Sequence, residues 1–171
     1  MQVVFSHGKE SGPWGRKIQQ LSQVVAQQGL DFSSVDYTDL ECPEQRVVRL
    51  QAILAEATQP TVLVGSSMGG YVSMVAAGEY PVAGLFLLAP ALFMEGYAQQ
   101  LYQPQTPIIE LVHGWQDDIV AVEHSLRFAQ NFESRLHLLH DDHRLRKTLL
   151  YIENLFSTFL DNVKQHALTI D

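Results

Sequence analysis

Cys42 is the only cysteine in the 171-residue chain, so no internal disulfide can form, which suits a reducing compartment. The thiol is also badly placed for nucleophilic chemistry. Asp39, Glu41 and Glu44 surround it in sequence, and nearby negative charge disfavours a thiolate. Positive charge is scarce as well: 11 Lys and Arg stand against 19 Asp and Glu, a formal net charge of −8. No basic run interrupts that balance, which disfavours a nucleic-acid partner or an anionic membrane surface. Long apolar runs are missing, because the stretch from Val82 to Phe93 is broken by Gly84 and Pro90. No membrane insertion is expected. The opening residues Met1-Gln2-Val3-Val4-Phe5 lack the basic start and apolar core of a secretory signal and read as a strand. Repeats, low-complexity tracts and linkers are absent too. The expectation is one cytoplasmic domain over residues 1–171.

What is present is ordinary globular composition, 46% apolar and 18% charged. Short aliphatic runs alternate with longer amphipathic ones. Val3-Val4-Phe5, Phe32 to Tyr37, Thr61 to Val64, Leu85 to Leu88, Ile108 to Val112 and Leu136 to Leu139 read as strands. Between them lie helical patterns: Arg16 to Gln28 with Gly29 as its stop, a helix from Pro43, Met68 to Ala77, Ile119 to Phe132, and a last helix from Leu149 to Val163. Met68 to Ala77 is apolar nearly all round, as a helix packed deeply on a sheet would be. Strands that are continuous rather than alternating are buried on both faces. Together these predict a three-layer α/β/α fold with an approximately six-stranded, mainly parallel sheet. Glu110 sits awkwardly inside one of these strands, so a position near the sheet end or a hydrogen-bonding partner is expected for it.

Gly65-Ser66-Ser67-Met68-Gly69 fits Gly-x-Ser-x-Gly. The five residues alone are weak evidence, and their setting makes the difference. A buried strand runs into the motif and a helix runs out of it, the context of a nucleophile elbow with Ser67 at its tip. A helix N-terminus there also favours developing negative charge. The bland alternative is a tight or phosphate-binding loop. The stretch lacks both a P-loop ending and a Gly-x-Gly-x-x-Gly spacing. A serine needs a base, and the base needs an orienting acid. Asp117 and Asp118 follow one later strand, and His143 follows the last one. The order Ser, Asp, His is that expected of such a sheet.

Phe5-Ser6-His7-Gly8-Lys9, Gly65 to Gly69, His113-Gly114-x-x-Asp117-x-x-Val120 and Asp142-His143-Arg144 together resemble the α/β-hydrolase superfamily, above all its minimal small bacterial esterases. The likeness runs over nearly the whole chain. It implies a serine hydrolase, a carboxylesterase or thioesterase acting on a small acyl ester or thioester through an acyl-enzyme intermediate. Within it Ser67 is the nucleophile, His143 the base and Asp117 the acid, with Asp118 as the alternative acid. The oxyanion hole falls to the backbone N–H groups of Lys9 and Met68, while His7 is structural. The stretch from Lys9 to Lys17 resembles the loop entering the first helix of small esterases. The antiparallel strands that begin larger relatives are expected to be missing. So is a large lid, since residues 91–105 form only a short segment, either an acyl-binding surface or a packing helix.

No cofactor or metal is implied. His137, His140 and His143 recur every third residue, yet on a strand ending in a loop that spacing does not keep three rings on one face. His124 and His166 read as surface residues. Because a fold does not dictate chemistry, two other uses stay open. One is a non-catalytic domain that binds a ligand or partner, and the other is an acyltransferase or peptidase on the same triad.

Overall fold

The computed structural model describes residues 1–169. In chain order its elements are β1 (Gln2–Ser6), α1 (Arg16–Gln27), β2 (Asp31–Val35), α2 (Pro43–Ala55), β3 (Thr61–Ser66), α3 (Met68–Glu79), β4 (Gly84–Leu88), β5 (Ile109–Gly114), α4 (Val122–Phe132), β6 (Arg135–Leu139) and α5 (Leu149–Leu168). The sheet has six strands in the order β2-β1-β3-β4-β5-β6. Every neighbouring pair is parallel. Among the described residues no helix is long and apolar enough to cross a membrane.

Parallel neighbours need crossover connections, which run right-handed. The chain steps from β1 outward to β2, then crosses back over β1 to β3 and continues in the other direction. That reversal puts α1 on one face of the sheet and α2, α3 and α4 on the other, and α5 returns to the α1 face. Strand side chains alternate accordingly. Val3, Phe5, Val62, Val64, Phe86 and Leu88 meet α1 and α5, whereas Val4, Leu63, Leu85, Leu87 and Leu111 meet the other three helices. Both faces are covered, which is why the central strands read as unbroken apolar runs. The reversal makes the carboxyl ends of β1 and β3 the switch point of the sheet, where ligands bind in open sheets of this type.

Several local expectations are corrected. Asp31–Val35 is the strand, and Tyr37 lies beyond it, where its N–H donates to His7 Nε2 at 3.0 Å instead of to a sheet neighbour. Helix α4 begins after Ala121 and not at Ile119: Asp117 Oδ1 accepts the N–H groups of Ile119 (2.9 Å) and Val120 (2.8 Å) in a side-chain turn, and the Val120 carbonyl that a helix from Ile119 would use is taken by His113 Nε2 at 3.0 Å. Its buried face is consequently Val122, Ser125 and Phe128, with Ile119 exposed. Residues 91–105 form no helix. His124 is half-buried, its ring against Phe93 at a centroid distance of 6.1 Å. His166 is half-buried also. Glu110 is buried near the start of β5, where it accepts from Arg135 Nη1 (2.9 Å) and pairs with His137 Nε2 (3.1 Å).

Candidate active site

Ser66 ends β3 and Met68 starts α3, so Ser67 alone turns the chain from strand to helix. It does so at φ 55° and ψ −120°, a conformation that side chains disfavour. Glycines make the turn feasible. A Cβ on Gly65 would fall on the carbonyl oxygen of Gly69, and one on Gly69 would fall on that of Ser6. Main-chain bonds hold the tip in place: Ser67 N–H donates to Leu88 O, and its carbonyl accepts from Gly70 and Ala91, all at 2.9 Å.

The loops after β5 and β6 bring the other two residues to this point. They are knitted together through Gly114, where a Cβ would strike the Asp141 carbonyl, and through Gln116 N–H, which donates to Asp141 O at 3.0 Å. The Asp141 side chain is fully buried. It accepts from Asp142 N–H (2.8 Å) and from the N–H (2.9 Å) and hydroxyl (2.8 Å) of Thr148, tying the His143 turn to the start of α5. His143 Nδ1 lies 2.7 Å from Asp117 Oδ2, and His143 Nε2 lies 3.0 Å from Ser67 Oγ. A carboxylate can only accept, so Nδ1 carries the proton and Nε2 is free to accept from the serine hydroxyl. Asp118 is exposed and makes no hydrogen bond to His143 among the described residues.

Asp117 has a partner that sequence reasoning did not assign. His113 is 0% exposed, and its Nε2 lies 3.0 Å from both Asp117 Oδ2 and the Val120 carbonyl oxygen. Two acceptors place the proton on Nε2, leaving Nδ1 to accept from the Ser125 hydroxyl at 2.7 Å. The Asp117 carboxylate thus receives His143 and His113 on one oxygen and the amides of Ile119 and Val120 on the other. Burial alone would raise its pKa. The hydrogen bonds from His113, His143, Val120 and Ile119 outweigh that and hold it well below the usual carboxylate range. Lys17 is half-buried nearby, its pKa lowered to about 8 by burial against the opposing pull of Asp117, Asp142 and Asp141.

Lys9 follows β1 in a loop whose Gly8 is tight against Ser67. A Cβ on Gly8 would lie 3.3 Å from the serine Cβ. Met68 N–H belongs to the first helical residue and has no acceptor within its helix. Among the described residues neither this N–H nor that of Lys9 donates to a protein group. His7 donates from Nδ1 to Gly8 O (2.7 Å) and accepts the Tyr37 N–H on Nε2, and burial lowers its pKa.

The segment from Ala91 to Gln105 starts beside Ser67 and is strapped down. Glu44 Oε1 accepts from Ala98 N–H (3.0 Å) and from the Tyr71 hydroxyl (3.1 Å), which itself accepts from Gln99 N–H (3.1 Å). The Tyr102 hydroxyl accepts from Phe93 N–H and donates to Gln99 O. Arg127 lies 4.0 Å over the Phe93 ring. Among the described residues no cluster of His, Cys, Asp or Glu is arranged to hold a metal ion.

Sheet order, crossover pattern and the strand-to-helix serine define the α/β-hydrolase fold, and solved structures agree. A protein of Xanthomonas campestris pv. campestris, assigned to the α/β superfamily of hydrolases, is 29% identical at a TM-score of 0.85, covering 94% of this chain and 98% of its own. Est1E from Butyrivibrio proteoclasticus is 18% identical at a TM-score of 0.83, covering 96% and 88%. The Pyrococcus furiosus esterase Pf2001 is 15% identical at 0.78, covering 94% and 82%. Together these likenesses show the α/β-hydrolase fold, and the Xanthomonas protein supports a hydrolase at a coarse level. No curated protein matches the sequence. Residues 2–107 match the profile of the Uncharacterised protein family UPF0227, and the chain belongs to that family.

Proposed function

We propose that the protein is a serine hydrolase that cleaves a small carboxylic ester or thioester through an acyl-enzyme intermediate. The observation that carries this reading is the unbroken chain Asp117 Oδ2 to His143 Nδ1 at 2.7 Å and His143 Nε2 to Ser67 Oγ at 3.0 Å. Ser67 Oγ attacks the acyl carbon while His143 Nε2 takes its proton. Asp117 stays ionised, holds the imidazole in the Nδ1–H tautomer and stabilises its cation. The carbonyl oxygen becomes an oxyanion facing the N–H groups of Met68 and Lys9. Each such donor lowers the barrier by about 3–4 kcal/mol. Collapse of this intermediate expels the alcohol or thiol, protonated by His143. Water then repeats the attack with His143 as base and releases the acid and Ser67.

A small-molecule partner and no cofactor fit this reading. A fluorophosphonate probe is expected to label Ser67 in the wild type and to leave Ser67→Ala unlabelled. Turnover of a panel of p-nitrophenyl esters and acyl thioesters of increasing chain length should vanish in the same variant. Folded wild-type protein that neither labels nor turns over any member of the panel would refute the proposal.

A further inference from the structure

Arg46, on α2, is 2% exposed. Its guanidinium makes no ion pair among the described residues and spends its donors on main-chain carbonyls. Nε donates to Leu40 O at 2.8 Å, and Nη1 donates to Gly8 O at 3.3 Å and His7 O at 3.4 Å. Its face lies 5.4 Å from the centre of the Tyr37 ring. A buried charge without a counter-ion is an expensive way to anchor a helix, and a methionine of similar length would pack there more cheaply. What the guanidinium does that an apolar chain cannot is bond the carbonyls of residues 7 and 8.

One of those carbonyls belongs to the Gly8–Lys9 peptide group. Gly8 O receives Arg46 Nη1 and, at 2.7 Å, His7 Nδ1. Cis peptides are absent among the described residues, and in a trans peptide the C=O and N–H point in opposite directions. With the oxygen drawn inward to Arg46 and His7, the Lys9 N–H is turned away from them, in the loop that abuts Ser67. A cation on the carbonyl also polarises the peptide and makes its N–H a stronger donor.

We infer that Arg46 is a positioning residue that aims and strengthens the Lys9 oxyanion donor through the Gly8–Lys9 peptide. The inference rests on the serine-hydrolase reading above. It assigns a role to a residue that never meets substrate, and it makes α2, far from Ser67 in sequence, part of the catalytic scaffold.

The test compares Arg46→Met and Arg46→Lys with the wild type on p-nitrophenyl acetate. In Arg46→Met, kcat is expected to fall about 10- to 100-fold, less than or equal to the loss of a whole donor. KM should change little, and the pH midpoint of the acid limb should stay put because His143 and Asp117 are untouched. Affinity for a trifluoromethyl ketone, which forms an oxyanion on Ser67, should fall by the same factor as kcat/KM. Arg46→Lys keeps the charge with fewer donors and should fall between the two. An Arg46→Met protein that folds with wild-type kcat overturns the inference. So does a loss carried wholly in KM, as a general loosening of the site would give. If Arg46→Met does not fold, Arg46→Lys decides alone, since unchanged kcat in it overturns the inference. A wild type without turnover or labelling would instead remove the underlying function, which keeps the two failures distinct.

Discussion

Replacing Ser67 by glycine is expected to make the protein more stable than replacing it by alanine. Both changes remove the hydroxyl and its 3.0 Å contact with His143, so the pair isolates the backbone. Ser67 sits at φ 55° and ψ −120°, where a side chain costs about 1–3 kcal/mol. Alanine keeps that cost and glycine escapes it. Against this, glycine loses about 0.5–1 kcal/mol more conformational entropy on folding. The net advantage of Ser67→Gly over Ser67→Ala is then roughly 0–2.5 kcal/mol with a mid-range near 1.2 kcal/mol, or about 2–5 °C at mid-range and up to about 10 °C in melting temperature for a chain of this size. Calorimetry or urea unfolding of the two variants measures it directly. If Ser67→Gly melts at or below Ser67→Ala, the elbow is not strained and the reasoning fails.

Asp117→Asn should lower kcat by about 10⁴-fold, because an amide cannot accept from His143 and His113 while also accepting from two main-chain amides. The Asp117 pKa is depressed on folding, so its stabilisation is present above about pH 4 and is lost as pH falls toward the native pKa. Acid titration of stability should therefore be flatter in the variant. Lys17 behaves in the opposite sense. Its pKa drops to about 8 in the folded protein, so the native state is penalised below pH 8, and the penalty fades as pH rises from 8 to about 10.4, where it is gone. Lys17→Met should be the more stable protein at pH 7, by up to about 3 kcal/mol. That advantage should shrink between pH 8 and 10 in a melting-temperature series, and an advantage independent of pH would refute the assignment.

The strand and helix pattern was legible in the sequence because the burial that shapes it is local and periodic. Val62 and Val64 meet one layer and Leu63 the other, and the run reads as apolar for that reason. The serine turn was legible because Gly65 and Gly69 occupy places where any side chain would strike backbone. Features set by partners distant in the chain were not. The start of α4 was misread because Ile119 keeps helical spacing, whereas the Val120 carbonyl that would join the helix is taken by His113, a partner on β5. His113 read as the first residue after a strand ending at Val112, whereas β5 runs on to Gly114, and the ring's bonds to Asp117 and Ser125 appear only once the following turn folds back. Arg46 carries no sequence mark at all, since its partners are carbonyls, which every residue possesses.

The strap from Ala91 to Gln105 has a consequence for how substrate is chosen. Glu44 on α2 and Tyr71 on α3 anchor its middle, and Tyr102 bonds its two arms to each other. The segment is thereby fastened to α2 and α3 in a fixed place, beginning at Ala91, whose N–H donates to Ser67 O. On the proposed hydrolase reading, an acyl group reaching Ser67 would meet a wall already in place. Progress curves then begin at full slope, and the rate passes smoothly through a substrate's solubility limit with no surge at an oil–water boundary.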